Sequence, residues 1–352
     1  MRRGERDAGM CLKNKDGSAM NYPKGYRSFD DEMKEMFGGK VYRLALSAGT
    51  TCPNRDGRCG EGGCIFCSAG GSGDYAEPAV LPVCEQIEHA KRRVAGKLSR
   101  NFAGYMAYFQ SFTSTYYHNR EEFEALKAKF KEAVRHPDIV ALSVATRPDC
   151  LPDEMILFLR ELNGTKPVWV ELGLQTMHED TAAYINRGYP LEVFEDAFRR
   201  LKEAGLKTVI HVIAGLPGED AQRTEETVRY LAGMDPQPDG IKLQMLQVLK
   251  GTALADRFPE ESLSNCSLEL KNQQFFLKDG MELPCYNIED YTELIVRLVR
   301  LLPPAVTIHR LTGDPPKRLL LYPAWTSDKK RVLNSISAAF RRLNDTDPAA
   351  GS

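Results

Sequence analysis

The sequence predicts an α/β protein built on a parallel sheet. Three observations carry that reading. Strand-like stretches begin near residues 41, 105, 139, 168, 207 and 240. After the first gap they recur every ~30–40 residues, the size of a βα unit. Helical stretches lie between them, and this alternation means parallel strands covered by helices. Six such units make either a doubly wound sheet or an incomplete barrel, and both gather ligands at the carboxyl ends of the strands.

Composition bounds the function. The 352 residues are 42% hydrophobic and 27% charged, as in a soluble globular chain of one large or two smaller domains. Lys+Arg 47 against Asp+Glu 48 leaves a net charge of -1, so no global electrostatic case for nucleic-acid binding arises. No apolar run approaches the ~20 residues of a membrane helix. The N-terminus Met1-Arg2-Arg3-Gly4-Glu5-Arg6-Asp7 has no apolar signal core behind it. Nine cysteines, an odd number with a CxxC pair, fit reduced thiols in the cytosol better than disulfides. These features place the protein in the cytoplasm with no membrane partner.

Residues 1–25 are polar, rich in Gly and Lys, and read as a loose extension. Val41 to Ser47 alternates like a strand. Pro82 to about Leu98 reads as a helix, Tyr105 to Gln110 as a strand and Glu121 to Arg135 as a helix. Ile139 to Val144 is nearly continuous apolar strand, followed by a helix begun by Pro152 and running to Leu162. Val168 to Leu174 is the fourth strand, with helices around His178–Ile185 and Leu191–Ala204. Gly205 ends the latter as a C′ residue would. Lys207 to Ala214 is a strand, Glu219 to Leu231 a helix and Gly240 to Leu249 a strand. From about Phe258 the pattern loosens. A helix from Ile288 to Leu302, a strand from Ala305 to His309 and a helix from Asp328 to Leu343 make a smaller C-terminal module. The expected organisation is an extension (1–25), a core (26–257), a substrate or capping module (258–343) and a tail (344–352).

The loop leaving the first strand holds Cys52, Cys59, Cys64 and Cys67, four of the nine cysteines. Thiolates suit zinc or iron–sulfur clusters. Four ligands would close a zinc site. Three ligands on a four-iron cubane would leave one iron open to chelate a small molecule. The cysteines alone leave both open. The strand ends carry polar or Gly-rich groups: Gln110 to Tyr116, Thr146-Arg147-Pro148-Asp149, Gly173 to Thr176, Gly215-Leu216-Pro217-Gly218-Glu219, and Gln244 with Gln247. Glu171 stands in an otherwise apolar strand, where a carboxylate is rarely left buried and unpaired. His211, between Ile210 and Val212, reads equally as a core histidine or a site residue. Arg187 in Asn186-Arg187-Gly188 is either a helix-end cation or a carboxylate clamp.

Taken together, the cysteine loop, Thr-Arg-Pro-Asp, Glu-Leu-Gly-Leu-Gln, Ile-Asn-Arg-Gly and Gly-Leu-Pro-Gly-Glu resemble a radical S-adenosylmethionine (SAM) enzyme. The chain most resembles the bacterial YhcC/YtqA-like family, related to the Elongator catalytic subunit, MiaB and oxygen-independent coproporphyrinogen oxidase. The likeness runs from about Tyr26 to about Asn334 and includes the long spacing Cys52…Cys64-x-x-Cys67 and His309 to Asp314. The resemblance implies a partial (β/α)6 TIM-like radical SAM barrel with a small α/β C-terminal module. It implies a [4Fe-4S] cluster on Cys52, Cys64 and Cys67, with Cys59 a departure from the family pattern. It places SAM against Phe66, Gln110, Thr113, Glu171, Gln175, Arg187, His211, Gly215 and Gly218. Related enzymes often carry an acid where His211 stands, and histidines where Gln244 and Gln247 stand. The implied activity is reductive cleavage of SAM to a deoxyadenosyl radical, with a flavodoxin- or ferredoxin-type electron donor. The implied substrate is a tRNA wobble uridine side chain. The alternatives are a small, tetrapyrrole-like metabolite and, more distantly, a zinc-stapled binding protein.

Overall fold

The structure, a computed structural model, describes residues 22, 24–71, 73–259 and 275–346. Most of the expected N-terminal extension and part of the C-terminal tail lie outside those residues. Seven strands form the main sheet: β1 (Lys40–Leu46), β2 (Phe102–Phe109), β3 (Ile139–Thr146), β4 (Val168–Gln175), β5 (Lys207–Ala214), β6 (Gly240–Met245) and β10 (Thr307–Arg310). Their spatial order is β1-β2-β3-β4-β5-β6-β10, and every neighbouring pair is parallel. The six expected units are present, and the strand of the C-terminal segment extends the same sheet to seven.

The sheet curls into a half-barrel. Arg43 on β1 donates to His309 on β10 over 2.7 Å. In a flat sheet six strand spacings would part those two edges by ~29 Å. One period-2 stripe faces the interior, and it is layered. Val41, Met106, Ala141, Trp169 and Val209 pack with Met33 as an apolar floor. Two residues further along each strand stand Arg43, Tyr108, Ser143, Glu171 and His211, and Lys242 joins them from β6. Two further still, Ala45, Gln110, Ala145, Gly173, Ile213 and Gln244 reach the mouth. Alternation along parallel strands builds such layers in any small barrel.

Helices α2 (Val83–Val94), α3 (Arg120–Arg135), α4 (Asp153–Asn163), α5 (Glu179–Tyr184), α6 (Leu191–Glu203) and α7 (Ala221–Ala232) connect the strands. Their apolar faces, with Phe123, Phe130, Phe158, Phe194 and Phe198, pack on the outer side of the sheet. Gly205, at φ 72 after α6, fills the expected left-handed position. Helix α1 (Phe29–Phe37) was not expected, although Ser28 and Asp31 form a capping box and Gly38 ends the helix at φ 73. Its Met33 plugs the barrel floor. The strand expected over 240–249 is two strands, because the chain turns at Leu246 and Gln247. The second, β7 (Val248–Leu249), pairs antiparallel with β11 (Leu320–Tyr322). Beyond it come α8 (Ala253–Asp256), the short pair β8 (Phe275–Phe276) and β9 (Glu282–Leu283), α9 (Ile288–Leu301) and α10 (Lys329–Thr346). The last helix therefore runs three residues past the expected end at Leu343.

Candidate active site and cluster-binding loop

The loop after β1 brings Cys52, Cys64 and Cys67 to one cavity at the carboxyl ends of the strands. Its backbone is held at several points. Cys67 N–H donates to Cys64 carbonyl over 2.9 Å, and Gly63 N–H to Asn54 carbonyl over 2.7 Å. Ile65 N–H donates to Ile185 carbonyl, which ties the CxxC turn to the segment after α5. Arg55 Nη2 donates to the carbonyls of Cys67 and Ser68 over 3.0 and 2.6 Å. Buried Asn54 donates from Nδ2 to Asn186 carbonyl and lies 3.9 Å from Cys64 Sγ. Cys59 is exposed, sits 4.0 Å from Asp149 and does not line this cavity.

The donor set fits a cluster better than a single ion. None of the three is in a disulfide. A lone zinc at ~2.3 Å from each sulfur would draw the sulfurs to less than 4 Å apart. Here the three Sγ atoms do not all fall within 4.8 Å of one another. Burial, with Cys67 and Cys52 alongside, pushes the Cys64 thiol up to about 12. That thiol gives up its proton once a metal supplies positive charge. Gln175, left-handed at φ 69, aims a buried Oε1 that has no partner among the described residues. A ligand with a donor group would satisfy it.

Seven of the nine expected SAM contacts line this cavity: Phe66, Gln110, Thr113, Glu171, Gln175, Arg187 and His211. Gly215 and Gly218 do not. Both have φ 77, and a Cβ on Gly215 would meet Met245 Cε at 2.4 Å, so that turn packs on β6 and Tyr286 instead. Arg187 is 1% exposed and donates to the carbonyls of Tyr189, Leu174 and Thr176 over 3.0, 3.1 and 2.6 Å. Most of its guanidinium is thus engaged in holding its own loop.

The middle layer of the barrel is the cavity's floor. Glu171 accepts from Ser143 Oγ at 2.8 Å, from His211 Nε2 at 2.9 Å and from Lys242 Nζ. Lys242 Nζ also donates to Tyr108 hydroxyl at 3.0 Å and sits 4.5 Å from the centre of that ring. Burial alone would raise Glu171, but Lys242, His211 and Arg43 outweigh it and hold the carboxyl well below the usual range. Burial, with Lys242 nearby, drops His211 to about 4, so it is neutral at pH 7. Burial likewise lowers the proton affinity of Lys242, while the adjoining Glu171 carboxylate pulls the other way and keeps the pair charged. Lys242 and Tyr108 went unnoticed in the sequence. Lys242 stands in Gly-Ile-Lys-Leu-Gln-Met as Glu171 stands in Val-Trp-Val-Glu-Leu-Gly-Leu, and the same reasoning would have found it. Arg147 also lines the cavity; it clamps Asp149 bidentately over 2.9 and 2.7 Å and donates to Arg187 carbonyl.

Comparison with known proteins matches this geometry. The model of the radical SAM superfamily matches residues 49–231, and that of the radical SAM C-terminal domain matches residues 278–342. YtqA of Bacillus subtilis is 38% identical over 317 residues, 90% of each chain. Elongator complex protein 3 of Danio rerio is 28% identical over 196 residues, 54% of this chain but only 31% of that protein. The solved archaeal Elp3 of Methanocaldococcus infernus superposes with a TM-score of 0.56 at 17% identity, covering 88% of this chain and 63% of that one, and shows the shared fold. Among the described residues no helix is long and apolar enough to cross a membrane. With one model spanning the cysteine loop and four of the strand ends above, the chain belongs to the radical SAM superfamily, whose cofactors are a [4Fe-4S] cluster and SAM.

Proposed function

We propose that Cys52, Cys64 and Cys67 hold the [4Fe-4S] cluster and that SAM binds against it over the Glu171–Lys242–His211 floor. The observation that carries this is the convergence of three cysteines, none in a disulfide, on one cavity with that floor. Bound there, the two cofactors supply one-electron reductive cleavage of SAM and hydrogen abstraction from a substrate. The protein's own groups do the rest. Phe66 and Thr113 bound the SAM seat, and Gln110 and Gln175 offer amide groups to its polar ends. Neutral His211 adds no charge beside the seat. Arg187 and Arg147 fix the loops around the seat. Asn54, directed at Cys64 Sγ, tunes the cluster by a hydrogen bond to sulfur. The described part of the C-terminal segment, residues 275–343, caps the barrel and contributes to the substrate chamber. A flavodoxin- or ferredoxin-type protein delivers the electron.

The substrate in this reading is a tRNA wobble uridine side chain. The match to Elongator complex protein 3 across the radical SAM region supports it, as do basic groups near the C-terminal segment such as Arg310, Lys317 and Arg318. Anaerobic reconstitution with iron, sulfide, SAM and a reductant tests the reaction class, with deoxyadenosine as the expected product. Nucleoside analysis of tRNA from a deletion strain tests the substrate. A missing wobble modification is expected; an unchanged profile together with no tRNA binding at low salt removes the tRNA assignment.

A further inference from the structure

A second cavity, of about 530 Å³, opens beside the first. It fills the gap between the two edges of the half-barrel, being lined by Arg43 and Ala45 of β1 and by Ile308 to Arg310 of β10. Tyr108, Gln110 and Arg310 line both cavities, so the two meet at those side chains. Tyr26, Phe29 and Tyr75 supply aromatic wall.

The charges at this junction do not balance. Arg43 lies with its guanidinium 3.7 Å from the centre of the Phe29 ring. Its Nη2 and Nη1 donate to Nδ1 and the carbonyl of His309 at 2.7 and 3.5 Å, and neither acceptor carries a charge. Its Nε is buried with no partner. Arg310 makes one long hydrogen bond, 3.4 Å to the neutral Gln244. Among the described residues, neither guanidinium is paired with a carboxylate. The nearby acids are taken: Glu171 by Lys242 and His211, and Glu32 by Lys207 at 2.8 Å and His309 at 3.3 Å. Asp314 is held by Lys329 and Asp30 by Lys34. Asp74 accepts from the neutral Ser68 hydroxyl and Lys24 donates to the neutral Ser28 hydroxyl, so these two lining charges, one of each sign, offset one another and leave the two arginines in excess. Arg310 and Arg43 lie close enough that each cation depresses the proton affinity of Lys242. Two planar, permanently charged donor forks left without an acid are suited to a planar or tetrahedral oxyanion.

We propose that this lateral cavity receives the substrate and that Arg43 and Arg310 hold its acidic group, a carboxylate or a phosphate. The proposal rests on the first cavity being the cluster and SAM chamber, since that places the bound acid next to the radical chemistry. A carboxylate would belong to a small acidic metabolite or an acidic side arm; a phosphate would belong to a nucleotide. The shared residues Tyr108 and Gln110 would then separate the acid from the reacting carbon.

The test is isothermal titration of the cluster-loaded protein, anaerobically, with inorganic phosphate and separately with succinate, at ionic strength held constant with chloride. Saturable binding of one of them, one per chain, is expected. Arg43→Gln and Arg310→Gln should each weaken it at least about tenfold, with Arg43→Lys and Arg310→Lys intermediate because they keep charge but lose the fork. Phosphate preferred over succinate assigns a phosphorylated substrate, and the reverse a carboxylic acid. Saturating SAM should leave the anion's affinity unchanged. If SAM competes, the two arginines hold the methionine carboxylate and the proposal is overturned. It is also overturned if neither anion binds, or if both glutamine variants bind as the wild type does. Should Arg43→Gln fail to fold, Arg310→Gln still decides the outcome. Absence of deoxyadenosine would remove the cofactor reading while leaving the anion titration to judge the arginine pair by itself.

Discussion

Replacing Lys242 with Met removes one charge from the barrel's centre and keeps nearly all of its volume. Lys242 is 1% exposed, and its ammonium meets Glu171 and the Tyr108 hydroxyl. The variant leaves Glu171 buried with two donors, Ser143 Oγ at 2.8 Å and His211 Nε2 at 2.9 Å. Removing one partner of a buried ion pair costs about 3–5 kcal/mol, because the other charge stays desolvated. The two surviving donors place Lys242→Met near the low end, at about 3 kcal/mol. His211 responds. Lys242 is one of the causes that hold it at about 4, so its pKa rises in the variant. The wild type then loses more stability than the variant as pH falls from 6.5 toward 4, and the gap between them narrows. Anaerobic urea denaturation of cluster-loaded protein at pH 8 and pH 5.5 measures both effects. The double variant Lys242→Met, Glu171→Gln should recover much of the loss, since a neutral amide needs no cation. Equal stability of Lys242→Met and wild type at both pH values would refute the idea that Lys242 balances Glu171.

Other perturbations have equally definite outcomes. His211 and His309 are both held near 4 by burial, below the ordinary 6.5 of their unfolded state. The unfolded chain therefore binds protons first: stability is full above ~6.5 and falls toward pH 4 by up to ~1.4 kcal/mol per pH unit for each histidine. His309→Gln should reduce that slope in a pH series of thermal unfolding, and an unaltered slope would contradict the assignment. Arg187→Met leaves the buried Tyr189 and Thr176 carbonyls without their donor, at about 1–3 kcal/mol each, while Leu174 carbonyl keeps the Thr176 N–H; a drop in melting temperature is expected, and an unchanged one would show that Arg187 is not what holds the loop. Gly71→Ala should distort the cavity wall, since a Cβ there would sit 2.2 Å from the Phe112 ring at a residue with φ 58; unaltered SAM binding by equilibrium dialysis would count against that. Asn54→Ala withdraws a donor from Cys64 sulfur and should lower the cluster's reduction potential in an EPR-monitored titration.

Period and punctuation in the sequence told most about the barrel. Runs such as Ile139 to Thr146 and Val168 to Gln175 are apolar on both faces because helices cover one and neighbouring strands' side chains the other, and such runs are legible in sequence. Residues whose meaning lies in strand position were harder. Arg43 and Tyr108 look like ordinary positions in their strands. Only the curl of the sheet, which brings β1 beside β10 and β6 opposite β2, turns them toward a shared interior. Closure of that kind follows from the summed twist of seven strands and leaves no local mark in the chain. Glu171 was visible because an acid flanked by Val170 and Leu172 violates the local pattern. At Gly215 and Gly218 the sequence suggests close approach by a ligand, and the structure shows a close approach there to Met245 and Met281. Helix α1 carried a Ser-x-x-Asp box and was passed over because it borders a polar segment without period.

The central claim is most directly tested by iron analysis of single-cysteine variants purified anaerobically. Cys52→Ala, Cys64→Ala and Cys67→Ala should each lose the cluster's absorbance and most of the iron and form no deoxyadenosine, whereas Cys59→Ala should retain iron like the wild type. Full iron and full SAM cleavage in any of the first three, or loss of the cluster in Cys59→Ala alone, would contradict the three-thiol site.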